Sequence, residues 1–287
     1  MSNLEALIAS EIQSPSSPPW MPLLGEPIVA AKWQRLNKDL GVTALDYSTC
    51  RILEGTRKSS QSAASHIQGR SIQLGPMRIS LETVPENLLK ECKAKGFEFY
   101  EATALLDDSL IPGVIENALQ LIQLTPTLFR TIAIIVRCIH VLRPEDEHHD
   151  VSFSLPDIPF SIFVSVPEKS DPYTTLRVAE AIIHEAMHLQ LTLIEHSLPM
   201  VIESDTRFFS PWRNEERSIS GILHAVYVFA AIDAWLNTLP STLINTHIRK
   251  RRGEIAKQMQ QIMSFPTDDE LTPCGQLLFR RLISGFE

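Results

Sequence analysis

The chain has 287 residues, 44% of them hydrophobic and 21% charged, with a formal net charge of −8. That length buries a sizeable core, as one large domain or two small ones. The acidic balance argues against a nucleic-acid partner and against an anionic membrane surface, both of which favour basic proteins.

The first residues, MSNLEALIASEIQ, carry no basic start and no continuous apolar run, so they do not read as a secretion signal. Four widely separated cysteines, Cys50, Cys92, Cys138 and Cys274, form no CxxC pair. They read as reduced, buried or half-buried thiols, and a cytoplasmic location is expected. Residues 14–22, SPSSPPWMP, read as an extended, solvated linker from which Trp20 could dock. Residues 1–27 as a whole are expected to be a flexible N-terminal segment.

From about Ile28 to Leu142 the pattern is mostly helical, and residues 28–145 are taken as a helical N-terminal region. Pro85-Glu86-Asn87-Leu88-Leu89-Lys90 opens like a helix with Pro in its first turn. Amphipathic stretches follow at Tyr100–Leu106 and Ile111–Leu124. Ile132–Val136 is a short apolar run that suits a buried helix or a strand. Residues 143–150, RPEDEHHD, place adjacent histidines among acids and read as a solvated loop, because neighbours in a loop or strand point apart.

Residues 146–287 are expected to form a metal-binding catalytic region, compact with residues 28–145. Ser161–Val166 is β-branched and apolar and reads as a strand. Two uses of it stand side by side: an edge that pairs with an extended peptide, or an internal strand. Asp171-Pro172 offers an N-cap and an N1 proline, so a helix should run from there to about Ser197, before Pro199. A second long helix should begin between Asn214 and Ser220 and end near Pro240. It contains Ile219–Leu236, the longest apolar stretch, which His224 and Asp233 interrupt. That stretch reads as a buried helix, and no membrane span is expected. Arg249-Lys250-Arg251-Arg252 then reads as a solvated helix start. The expected fold is α+β, mostly helical, with a metal site between two long buried helices and a small sheet beside the first.

The first of those helices carries His184-Glu185-Ala186-Met187-His188. Histidines four apart project from one helix face, so both imidazoles can grip one transition-metal ion. Ile182, Ile183, Met187 and Leu189 make this helix apolar almost all round, which buries it. Polar groups inside such a helix need partners, and a metal partners two imidazoles at once.

The third ligand decides the chemistry. The pattern HExxHxxGxxH of one zinc-peptidase class is excluded, because Leu191 and Ile194 stand at its last two positions. Glu203, Glu215 and Glu216 are available for a glutamate-completed zinc site. His224 is the other candidate, preceded by Gly221, which would permit close helix approach. Three histidines suit zinc and non-haem iron(II) about equally. Arg213 and Arg217 could hold the distal carboxylate of a dicarboxylate cosubstrate, or pair with Asp205, Glu215 or Glu216 at the surface. Arg217 lies seven residues before His224 and would share its face in a continuous helix.

Taken together, IIHEAMHLQLTL and SPWRNEERSISGILHAVYVF resemble the 2-oxoglutarate-dependent HExxH-type peptide β-hydroxylases, non-haem iron enzymes that modify ribosomally made peptides. That family's signature similarly joins HExxH to a Pro-Trp-Arg segment and a Gly-x-Leu-His-x-Val-Tyr-like helix. Residues 152–165 look like its strand region as well. The resemblance covers about residues 150–236 well and the N-terminal half loosely. It implies Fe(II) as cofactor, 2-oxoglutarate and O₂ as reactants, and a precursor peptide as the partner hydroxylated on a β-carbon. By position it makes His184, His188 and His224 the metal ligands and Arg213 or Arg217 the cosubstrate clamp, with Tyr227 beside them. Ser218 stands where the family tends to have proline, which leaves the choice of arginine open.

Glu185 is the catalytic carboxylate in either enzyme reading. It would be the general base of a zinc peptidase, or it would hold a ligand or a water in the hydroxylase. A non-catalytic peptide-binding scaffold is the third possibility.

Overall fold

The computed structural model describes residues 2–40, 68–84, 86–106, 110–146, 150–155, 158–243, 245–263 and 269–286. Cys50, Pro85 and the His148-His149 pair fall outside them. The chain is α+β and mostly helical, and it divides into two compact units. One comprises Met1–Ala31 and Gln190–Glu287, and the other Lys32–Leu189. The boundaries expected from the sequence lie elsewhere, at 27/28 and 145/146.

The unit formed by residues 32–189 is built on a mixed sheet. Its strands are β1 (Gly69–Leu74), β2 (Met77–Glu82), β3 (Glu98–Phe99), β4 (Cys138–Arg143), β5 (Ser152–Ser154) and β6 (Ser161–Ser165). The order is β1-β2-β4-β6-β5, with β3 paired to β4. β2, β4 and β6 run parallel, while β1, β3 and β5 are antiparallel to their neighbours. Among the described residues the stretch from Ile28 to Leu142 is mostly helical, as expected, and the strands β1 to β4, which the sequence did not indicate, fall in or at the end of it. β2 alternates buried Ile79 and Leu81 with more accessible Arg78 and Ser80, a period of two that a helical reading passes over. β4 is buried through its first five residues, as parallel central strands are, and so shows no alternation at all.

Helices of this unit follow the sequence more closely. Glu86–Ala94, Ala102–Leu106, Leu110–Gln123 and Pro126–Ile135 are helical. The ambiguous run Ile132–Val136 is the last turn of one of them, and Val136 is its C-cap. β6 pairs on one side with β4 and on the other with β5, and all five of its residues are buried. It is an internal strand, so it presents no edge to a peptide. Phe153 of β5 stacks on Phe163 of β6 at 4.5 Å between ring centroids, and His140 of β4 stacks on the same ring at 4.7 Å.

The other unit holds α1 (Asn3–Gln13), a hairpin of β7 (Arg207–Ser210) and β8 (Glu215–Ser218), and helices Ile219–Thr238, Asn245–Ile262 and Pro273–Ile283. Ser2 and Glu5 form a capping box on α1, satisfying amide donors the helix start would otherwise leave open. The Pro/Ser-rich stretch after α1 is not an extended, solvated linker. Trp20 and Met21 are buried. The Arg281 guanidinium donates to the carbonyls of Glu11, Ile12, Ser17 and Pro18, and Gln190 Nε2 donates to Trp20 O at 2.9 Å. Burying two large apolar side chains draws the backbone in, and these donors then satisfy carbonyls that water no longer reaches.

Ile219–Thr238 is, among the described residues, the one helix long and apolar enough to cross a membrane, and most of it is buried inside the protein. Its N-cap is Ser218, whose hydroxyl accepts from Gly221 N. The basic start of Asn245–Ile262 is only partly solvated. Arg252 pairs with Asp233 at 2.8 Å and donates to Asn237, while Arg251 lies over the Phe229 ring. Those contacts fasten the two helices together.

Gly275 sits where a Cβ would strike the Met200 carbonyl group. Gly275→Ala is expected to cost about 1–3 kcal/mol, the usual price of overpacking. The urea midpoint of the whole chain measures it; an unchanged midpoint contradicts the close approach.

Candidate functional site

The HExxH sequence lies on α7, Pro172–Glu195. Its start is as the sequence implies: Asp171 Oδ1 accepts from the amides of Tyr173 and Thr174, both at 2.9 Å. The Thr174 amide bond holds the Asp171 carboxyl below the usual range. From Ala181 to Glu195 the half-buried positions are Ala181, His184, His188, Thr192 and Glu195, and every other residue is buried. Steps of three and four draw a single stripe along the helix. The two histidines of the motif occupy its middle.

Their Nε2 atoms stand 3.2 Å apart, with the rings inclined at 69°. Two nitrogens each about 2.1 Å from one ion, and 3.2 Å from each other, subtend roughly 100° at it. That angle lies between the octahedral and tetrahedral values. The pair therefore fits a shared cation, and it also fits a shared proton.

Glu185 lies off the stripe and is 3% exposed. Its Oε1 accepts from Ser152 Oγ at 2.7 Å and lies 3.9 Å from His184 Nε2. Ser152 is on β5, so the sheet supplies the donor that holds this buried carboxylate. The sequence reading did not single out Ser152, because nothing local relates it to a residue 33 positions away.

His224 is on the helix Ile219–Thr238, and its Nε2 lies 2.9 Å from Glu195 Oε2. Both side chains are partly buried, at 16% and 19% exposure. The sequence reading missed Glu195 too. Here a signal existed: Glu195 follows His188 by seven residues, two helical turns, and so shares its stripe. Among the described residues, no three His, Cys, Asp or Glu side chains are grouped so as to hold one metal ion. The structure thus brings His184 and His188 together, and sets His224 against Glu195.

The arginines stand elsewhere than a continuous helix would put them. Arg217 belongs to β8, where its Nη1 pairs with Glu215 Oε1 at 2.8 Å. It precedes the helix, so it does not share a helical face with His224. The Ser218 cap starts the helix one residue later, and β8 stays paired to β7 up to that point. Gly221 serves a different purpose from close helix packing: the nearest atoms to its missing Cβ are Arg217 Nε and Cβ, at 3.4 and 3.5 Å. Arg213 is exposed in the turn joining β7 to β8, next to Asn214 in the left-handed region at φ 53°. Trp212 stacks on Phe229 at 5.2 Å, which anchors this turn on the helix. Tyr227 is fully buried, and its hydroxyl donates to Gln190 Oε1 at 2.8 Å.

Burial pushes the Tyr227 phenol above its ordinary range. Tyr227→Phe leaves Gln190 Oε1 without its donor, at an expected cost of about 1–3 kcal/mol. The folded chain holds this proton more tightly than the unfolded one, whose tyrosines titrate near about pH 10. The contribution is therefore full below that pH and fades above it. Denaturation of both forms should show the gap in stability at pH 8 narrowing by pH 11; a constant gap contradicts the assignment. No protein-family model matches the chain, and no curated protein does.

Proposed function

We propose that this chain is an Fe(II)/2-oxoglutarate-dependent oxygenase that hydroxylates the β-carbon of a residue in a ribosomally made precursor peptide. The observation that carries the reading is the convergence of His184 and His188 Nε2 at 3.2 Å on the half-buried stripe of an otherwise buried helix. The joint HExxH, Pro-Trp-Arg and Gly-x-Leu-His-x-Val-Tyr pattern supports iron over zinc.

In this reading His184 and His188 hold the ion, and the resemblance, not the geometry, adds His224 as a third ligand. Bound there, iron supplies the redox chemistry by which O₂ and 2-oxoglutarate become a hydroxyl group on the peptide, succinate and CO₂. The protein's part is binding and aim. Arg213 or Arg217 receives the distal carboxylate of the cosubstrate, since a guanidinium fork matches a carboxylate in two bonds. Arg217 would exchange Glu215 for it. Tyr227 is buried and its hydroxyl is committed to Gln190, so the clamp is assigned to the arginines. Glu185, fixed by Ser152, orients the His184 side of the site.

A zinc peptidase is the second reading, favoured by one observation: the Glu185 carboxylate lies 3.9 Å from His184 Nε2, close enough to act on a water at the ion. The two separate cleanly. With Fe(II), ascorbate, 2-oxoglutarate and its peptide, the hydroxylase adds one oxygen atom, read as a mass gain, and Glu185→Gln retains metal. The peptidase cleaves without O₂, and Glu185→Gln abolishes cleavage. His224→Ala should lower metal affinity; unchanged affinity rules out the three-histidine site.

A further inference from the structure

We infer that the outer edge of β5 is the docking strand for the substrate peptide, which pairs there by its main chain and sets one side chain opposite Ser152. The inference rests on the reading that the chain acts on a peptide, which both enzymes above share. β5 ends the strand order β1-β2-β4-β6-β5, so among the described residues no strand pairs with its outer side. In an antiparallel pair, successive residues turn their main-chain groups toward the partner strand and then away from it. Ser165 N donates to Val151 O at 2.8 Å, which sets the phase. Phe153 therefore bonds to β6, and the N–H and C=O groups of Ser152 and Ser154 point outward. An extended peptide satisfies such a row as one more strand, about 4.8 Å away. Neither Lys nor Pro, which commonly block an open edge, stands in β5.

What singles out this edge is its place beside the candidate site. Ser152 Oγ is 2.7 Å from Glu185 Oε1, which is 3.9 Å from His184 Nε2. Side chains alternate between the faces of a sheet, so Ser152 and Ser154 share the face that meets Glu185, and Phe153 lies on the other, against Phe163. The peptide residue opposite Ser152 presents its side chain on the Glu185 face as well. β1, the other edge, stands at the far end of the strand order. The β5 edge is also held before a peptide arrives. Arg177 of α7 donates twice to Asp150, at 2.7 Å each, and Val151 N donates to Ser165 Oγ at 2.9 Å. A preordered edge loses little entropy on pairing.

The test needs no metal. A fluorescein-labelled peptide SIFVSV, copied from residues 161–166 and flanked by lysines for solubility, is titrated into the full chain and followed by anisotropy. Hydrogen exchange of residues 150–155 is read alongside. The peptide should bind saturably and slow exchange at Ser152 and Ser154. Ser154→Pro deletes one outward N–H and leaves the β6 ladder intact, since proline is tolerated on an edge. It should weaken binding about tenfold, the worth of one main-chain hydrogen bond. Ser154→Ala, which keeps the amide, should bind as the wild type does. Absence of binding, or equal affinity in Ser154→Pro and wild type, overturns the inference. Protection that rises with protein concentration and without peptide marks the edge as an interface between two copies, and overturns it too. If a substrate peptide is turned over undiminished by Ser154→Pro, the docking strand is wrong and the peptide enzyme stands; docking without any turnover upholds the strand and removes the enzyme.

Discussion

Two imidazoles held one helical turn apart inside a buried helix set the terms for everything else in this protein. α7 has apolar residues on nearly every side between Ala181 and Glu195, so its polar positions cannot be left to solvent. His184 and His188 meet this constraint with each other, Nε2 to Nε2. Glu185 meets it through Ser152 on β5. Glu195, at the end of the same stripe, meets it with one oxygen only, against His224. A helix built to be buried thus carries His184, His188 and Glu195 along its one accessible line.

The sheet reaches this arrangement through the Ser152 hydroxyl. β5 pairs with β6, Ser152 opposite Val164, and Phe153 stacks on Phe163, so the ladder and the stack together fix where Ser152 stands. Removing the ladder would take the Ser152 donor away from the buried Glu185 carboxylate, at a cost of about 1–3 kcal/mol. The fold and the chemistry are coupled here by an ordinary hydrogen bond rather than by any special backbone geometry.

The remaining unit shows how far burial overrides local composition. A Pro/Ser-rich stretch looks like linker because few of its residues bury area. Trp20 and Met21 are enough to bring it in, once Arg281 and Gln190 are there to receive its carbonyls. Likewise Arg249–Arg252 looks like a solvated charge run, yet Arg251 and Arg252 fasten one helix to another through Phe229, Asp233 and Asn237. In both cases the partner lies far along the chain, where no periodicity can point.

What the sequence determined by itself is what local forces determine. Asp171-Pro172 starts α7, Ser218 caps the helix that follows, and four-residue spacing sets His184 and His188 on one face. Capping and helical period act within a turn or two, so they are written in adjacent letters. Strands β3 and β4 escaped it, because their partners lie far along the chain and a buried parallel strand has no alternation to show, whereas β1 and β2 form a local hairpin whose period of two a helical reading passes over. Only the tertiary structure decided that Ser152 underlies Glu185, that Arg217 belongs to a hairpin, and that His224 faces Glu195. The first and last of those join residues about thirty positions apart, where capping and helical period cannot reach.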